Sequence, residues 1–262
     1  MIGVFDSGVG GLSAVTALRQ RFPKIDILYF GDTAHMPYGV RSDCEILALA
    51  THAADLLLSL GADRLIAACG TVSAVALPTL QSILHVSIDG VADAAADEAS
   101  DGRRIAVLGT DATVRSGAFT RLLRIRAPEA EVRALACPRF VEMAENGDTD
   151  ESDPRIMRAV REVLSPLSHF DPDRVILGCT HFPLLSRAIG RVFPAARLIG
   201  SGNAAAARLS HEIPNTGSGK TRILVSGDAE GFRTAAKRLF GHGFDLPVEH
   251  AYHLRDIGYN IK

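Results

Sequence analysis

The feature that most constrains this chain is a repeated alternation of short apolar runs with longer helical stretches. The spacing predicts strands at Ile2–Phe5, Ile25–Phe30, Arg64–Ala68, Ile105–Leu108, Glu131–Ala136, Arg174–Leu177, Arg197–Ile199 and Arg222–Val225. Between them it predicts helices at Leu12–Arg21, Asp43–Leu60, Val114–Arg126, Pro154–Leu164 and Phe232–Leu239. Such alternation points to an α/β fold of mainly parallel sheets flanked by helices. Ligands in such sheets bind beyond the carboxyl ends of the strands, so the residues just after each strand are where chemistry is expected.

Those strand ends echo each other. The first half carries IGVFDSGVGG and LIAACGTVSA, and the second carries IAVLGTDATVRSG and VILGCTHFPLL. Each half thus has one glycine- or hydroxyl-rich loop and one strand-end cysteine. We expect two similar α/β units, with a polar, alanine-rich seam at VADAAADEASDGRR and a second near Ser201–Arg208. The final strand and helix would return to the first unit, which then comprises 1–92 plus 205–262, the second being 93–204. PNTGSGK, Pro214 to Lys220, reads as a surface loop. It is not a phosphate-binding loop, because Pro214 stands where that pattern needs glycine.

The formal net charge of −2, from interspersed acidic and basic residues, gives no footprint for nucleic acid. No apolar run approaches the roughly 20 residues of a membrane span. MIGVFDSGVGG enters an apolar segment without a basic leader, so no signal peptide is expected. Cys44, Cys69, Cys137 and Cys179 are widely spaced, which suits reduced thiols in the cytoplasm.

In DSGVGGLS, Asp6 leads a tight glycine turn whose amides offer an anion site at a helix start. A merely structural turn is the competing reading. Asp6 tips the balance, since a carboxylate there can hold an ammonium group or orient a thiol. GDTAHMPYGVRS places Pro37, Tyr38 and Gly39 at a turn suited to a carboxylate, though an ordinary surface turn explains it equally.

A buried cysteine is ordinarily packing. Cys69 and Cys179, however, each end an apolar run and precede a helix, where a thiolate has electrostatic help. His181 lies two residues beyond Cys179, placed to assist proton transfer. A metal site built from Cys69, Cys179 and His181 lacks zinc spacing, and a Cys–His nucleophile leaves Cys69 unexplained. Two thiols in mirrored halves fit stereoinversion, one removing an α-proton while the other delivers one to the opposite face. Pyridoxal phosphate would need a lysine, and none of Lys24, Lys220, Lys237 and Lys262 follows a strand-end signal. Hydrogen bonds in a closed, dry cleft would then stabilise the carbanion.

Taken together, FDSGVGGLS, YFGDTAHMPYGVRS, the stretch at Cys69, GTDATVRSGAF, PRFVEMAENG and GCTHFPLL make the chain resemble the glutamate racemases over nearly its whole length. These are cofactor-independent enzymes supplying D-glutamate for bacterial peptidoglycan. The resemblance implies two α/β domains related by pseudo-two-fold symmetry, with the active site between them and no cofactor or metal. Cys69 and Cys179 would be the catalytic thiols, assisted by Asp6 and His181, with Glu145 near the second cysteine. Ser7, Pro37, Tyr38, Gly39, Gly70, Thr71, Thr113 and Thr180 fall on substrate-contacting positions. A cytoplasmic homodimer is implied as well. Because the chain enters its first strand at once, it would lack the N-terminal extension of members activated by a cell-wall precursor.

One departure stands beside the chemistry. The family usually has asparagine then threonine after the first cysteine, whereas this chain has Gly70 then Thr71. Loss of a hydrogen bond to a charged group costs about 1.5–3 kcal/mol, roughly ten- to a hundredfold in rate. Glycine there would leave space for water or a bulkier substrate. VSIDGVADAA departs too, farther from the chemistry. Two alternatives therefore accompany a glutamate racemase: a racemase of another acidic amino acid such as aspartate, and a weakly active relative with a binding or regulatory role.

Overall fold

The computed structural model describes residues 1–209, 212–241 and 247–251. The stretch 252–262, which the sequence assigns to the first unit, lies outside the described residues. The first half runs β1 (Ile2–Asp6), α1 (Leu12–Arg21), β2 (Ile27–Gly31), α2 (Asp43–Ser59), β3 (Arg64–Ala67), α3 (Gly70–Val75), α4 (Leu77–Ile83) and β4 (Ser87–Gly90). After α5 (Val91–Glu98) come β5 (Arg104–Gly109), α6 (Asp111–Ser116), α7 (Ala118–Arg126), β6 (Glu131–Ala136), α8 (Pro138–Asn146), α9 (Pro154–Leu164), β7 (Arg174–Leu177), α10 (Ser186–Val192) and β8 (Arg197–Gly200). The chain then passes through α11 (Ser201–Leu209), β9 (Thr221–Val225), α12 (Ala229–Phe240) and β10 (Val248–His250).

The strands form two parallel sheets, ordered β10-β9-β2-β1-β3-β4 and β6-β5-β7-β8. The order β2-β1-β3-β4 is repeated by β6-β5-β7-β8, so the echo read in the strand-end loops is also an echo of topology. β9 and β10 extend the first sheet beyond β2, with Ile27 paired to Thr221.

The central strands are apolar on both faces because helices cover both. Along β1, Val4 joins one core with Ile27, Tyr29 and Ile66, while Phe5 joins the other with Leu28, Phe30 and Leu65. The second sheet repeats this, Val107 and Ile176 facing one way, Leu108 and Leu177 the other. Local signals place the helix ends. Ser42 and Glu45 make a reciprocal capping box at the start of α2, Glu45 N–H donating to Ser42 Oγ at 3.4 Å and Ser42 N–H to Glu45 Oε2 at 3.0 Å.

Several sequence expectations shift. The predicted helix Val114–Arg126 is two helices broken at Gly117, whose φ of +64° is a left-handed turn. The strand expected at Ile25–Phe30 starts at Ile27 and ends at Gly31. Both expected seams carry helices that the sequence reading does not predict. α5 buries Val91, Ala92, Ala94, Ala95 and Ala96. α11 sends Ala206 and Leu209 into a core of the first sheet and Ala204 and Ala205 into one of the second. Alanine is weakly hydrophobic in a pattern, but its small side chain lets helices approach closely. The loop Pro214–Lys220 does run at the surface, where Ser218 and Lys220 donate backbone N–H groups to Asp26.

Candidate active site

The carboxyl ends of both sheets face one cavity of about 240 Å³. From the first half Ser7, Pro37, Tyr38, Gly39, Cys69, Gly70 and Thr71 wall it, and from the second Glu145, Cys179, Thr180 and His181. Asp6 and Thr113 are buried behind the wall rather than lining it.

Asp6 ends β1 and turns its carboxylate back into the glycine loop. Oδ2 accepts the N–H of Gly8 at 2.9 Å and of Gly11 at 3.1 Å, and Oδ1 accepts the Thr180 hydroxyl at 3.3 Å. The loop amides expected to bind an external anion thus hold a carboxylate of the chain itself. A Cβ at Gly11 would lie 2.4 Å from Asp6 Cβ, so glycine is what permits this approach. Burial outweighs these bonds and pushes the Asp6 carboxyl up to about 6.

Cys69 follows β3 and caps α3, with its thiol 3.8 Å from Ser7 Oγ. Burial first, and then the Asp6 charge, pushes this thiol up to about 11, while backbone amides at Val72 and Ser7 pull less strongly the other way. Cys179 follows β7, its Sγ 3.7 Å from His181 Nδ1. Burial drives this thiol above the usual range too. The helix starts therefore do not by themselves make thiolates, because desolvation of a charged sulfur is the larger effect.

Burial pulls His181 down to about 4, leaving a neutral ring at physiological pH. Its Nε2 lies 3.5 Å from Glu145 Oε1, in a geometry that makes no hydrogen bond. Burial, then the charge of Glu142, raises the Glu145 carboxyl. The Arg238 guanidinium of α12 donates to the Glu145 carbonyl, tying the end of α8 to a helix that packs on the first sheet.

Three hydroxyls bridge the halves. Thr71 Oγ1 lies 3.0 Å from Thr110 Oγ1, which is 3.0 Å from Thr113 Oγ1. Thr110 also accepts the Thr113 N–H at 3.2 Å, so one residue caps α6 and walls the cavity. Sequence reasoning passes over Thr110, although it directly follows a strand.

Sequence reasoning misses Asp32 as well. It lies just beyond β2, buried, and accepts Tyr38 OH at 2.6 Å, Ser226 Oγ at 2.6 Å and His35 Nδ1 at 2.8 Å. This carboxylate anchors the Pro37–Gly39 turn to the end of β9, and its place after a strand is the signal that could have found it. Replacing Asp32 with alanine is expected to lower stability by about 2–4 kcal/mol, because two buried hydroxyls lose a charged acceptor. Urea denaturation would measure it, and a change within error would remove Asp32 as the anchor.

Gly70 corrects a second expectation. A Cβ there would sit 1.9 Å from the Gly178 carbonyl oxygen. The space glycine was expected to leave for water or a bulkier substrate is filled by the opposite loop.

The sequence pattern of the Asp/Glu/hydantoin racemases matches residues 13–209. The chain belongs to this racemase family. Within the family it is 40% identical over 244 residues to glutamate racemase of Thermus thermophilus, covering 91% of each chain. Its fold is similar to the crystal structure of glutamate racemase from Thermus thermophilus in complex with β-chloro-D-alanine, with a TM-score of 0.85, 38% identity and 95% of each chain covered. Glutamate racemase from Francisella tularensis, in complex with D-glutamate, gives a TM-score of 0.84 at 29% identity, again over 95% of each chain. Among the described residues of this family member, no three His, Cys, Asp or Glu side chains gather as a metal site, and no helix is long and apolar enough to cross a membrane.

Proposed function

We propose that the chain is a cofactor-independent glutamate racemase, interconverting L- and D-glutamate and so supplying D-glutamate for peptidoglycan. The observation that carries this reading is the pair of buried strand-end thiols, one from each sheet, on the wall of one small cavity. In the reaction, one sulfur as thiolate removes the α-proton and becomes a thiol. The thiol on the other face gives its proton to the planar carbanion and becomes the thiolate. Protons and charge balance, and the reverse reaction uses the same groups in the opposite order.

Both thiols rest protonated because burial raises them. The substrate ammonium, brought into the cavity, stabilises the thiolate form. His181 Nδ1, beside the Cys179 sulfur, is the group placed to take that thiol's proton once the substrate ammonium favours the thiolate. Glu145, facing the other ring nitrogen, offsets the low basicity that burial gives the ring. Asp6 serves the Cys69 side. Ser7, Thr71 and Thr180, with the Pro37–Gly39 turn, supply hydroxyl and amide donors for the substrate carboxylates. Thr113 acts through Thr110. A dry cavity strengthens each of these interactions as charge builds on the α-carbon.

L-Glutamate incubated with the protein in D₂O, without pyridoxal phosphate or metal, is expected to give α-deuterated D-glutamate. Failure to exchange the α-proton of either enantiomer overturns the reading. The proposal carries with it the cytoplasm, where the four cysteines stay as free thiols, and a homodimer, which sedimentation would read.

A further inference from the structure

Three glycines of the first half face the second half at distances too short for a side chain. A Cβ at Gly10 would meet Thr180 Oγ1 at 2.5 Å, one at Gly39 would meet Thr110 Cβ at 2.8 Å, and one at Gly70 would meet Gly178 O at 1.9 Å. The first two neighbours are side chains. The third is backbone, which has no rotamer to give.

We propose that Gly70 is the closing stop of the cleft, seating bare backbone against the Gly178 carbonyl and thereby setting the spacing of the two thiols. This rests on the racemase reading for its consequence in catalysis, but the contact itself does not. Residues 70 and 178 are the immediate neighbours of Cys69 and Cys179, so a displacement at the contact is passed directly to the sulfurs.

Neither side has slack. Gly178 donates its N–H to Leu108 O at 2.8 Å, and a Cβ on it would lie 2.8 Å from that oxygen and 3.2 Å from the Phe119 ring. Cys69 O accepts the Ser73 N–H at 2.9 Å, which fixes the start of α3. A methyl group at position 70 falls more than an ångström inside the 3.0 Å that Cβ atoms keep from other atoms. Something must shift, and because the neighbour is backbone, on this proposal the two loops, and with them the halves, move apart. Two thiols that must reach one α-carbon from opposite faces tolerate such an opening poorly, and misplacement by about 1 Å costs on the order of a hundredfold in rate.

The test compares Gly70→Ala and Gly70→Asn with the wild-type protein. Alkylation of each cysteine by iodoacetamide is followed by mass spectrometry, alongside kcat and KM for glutamate. Cys44 is exposed and serves as the internal standard, while Cys137, buried in the second half, reports unfolding. The expected result is a severalfold faster reaction at Cys69 and Cys179 with Cys137 still protected, together with a kcat lower by about a hundredfold. Wild-type alkylation and kcat in Gly70→Ala, or a gain in turnover in Gly70→Asn, overturns the proposal. Should Cys137 react as well, the decisive measurement is a crystal structure of the wild-type protein with bound glutamate. There the 70–178 contact is expected intact, and a liganded cleft with the loops apart overturns it. If wild-type protein exchanges no α-proton, the functional reading falls, yet the alkylation comparison still reads the contact.

Discussion

Removing either thiol, as Cys69→Ala or Cys179→Ala, is expected to lower glutamate interconversion by about 10²–10⁴-fold, the range that one positioned acid–base group contributes. The two variants should not fail identically. Each sulfur has its own local partners, Ser7 for Cys69 and His181 for Cys179, so removing one leaves the other's surroundings standing. A lone thiolate can still remove the α-proton from its own face, exchange it with solvent and return it to that face. One variant is therefore expected to wash deuterium into one enantiomer without inversion, and the other variant into the opposite enantiomer. Proton NMR in D₂O with each pure enantiomer reads this directly. If both variants exchanged the same enantiomer, the thiols could not be acting on opposite faces. Stability should change little, by about 1 kcal/mol, because a cysteine-to-alanine change removes a single buried atom.

Asp6→Asn is expected to separate stability from activity. The Asp6 carboxyl titrates at about 6 in the folded protein against an ordinary value of 3.8. The folded state holds this proton more tightly than the unfolded state does. The stabilisation from the protonated form is thus complete below the ordinary value and is lost as pH rises through about 6. At pH 7.5 the ionised group carries a penalty of about 2–3 kcal/mol, taking ~1.4 kcal/mol for each tenfold difference in proton affinity between the folded and unfolded states. Asparagine is neutral and keeps the acceptor for the Gly8 and Gly11 amides, and its amide can donate to Thr180. The variant should therefore melt several degrees higher than wild type at pH 7.5, with the advantage gone at pH 3.5. Turnover should fall by about 10²–10³-fold, and the acid limb of kcat/KM near pH 6 should disappear. An unchanged melting temperature at pH 7.5 would mean that Asp6 is not strained by its charge.

The parts of the fold legible in the sequence are those where burial on both faces leaves an unbroken apolar run, as in β1, β3, β5 and β7. The strand-end rule then leads to Asp6, Cys69 and Cys179 without further help. β4 and β10 escape because Ser87–Gly90 and Val248–His250 are short, partly polar edge strands. α5 and α11 are missed as helices because alanine, the residue that lets them pack closely, makes little hydrophobic pattern. Asp32 is hidden by its neighbours, the more conspicuous turn at Pro37–Gly39. The contact at Gly70 is of a different kind. It depends on how two sheets sit against each other, and no local pattern around residue 70 encodes the position of the Gly178 carbonyl.

The pairing of β2 with β9 has a consequence for how the protein is made. During synthesis the whole second sheet emerges before β9 does, so β2 waits with one edge unpaired and open to other chains. Its partner then arrives from far along the chain, a long-range closure of the slow kind. That late strand also delivers Ser226, which locks Asp32 and through it the Tyr38 turn. A chain stopped before β9 would own both thiols, yet it would lack the anchor that shapes the wall between them. The order of synthesis thus withholds a finished cleft until β9 and Ser226 have left the ribosome.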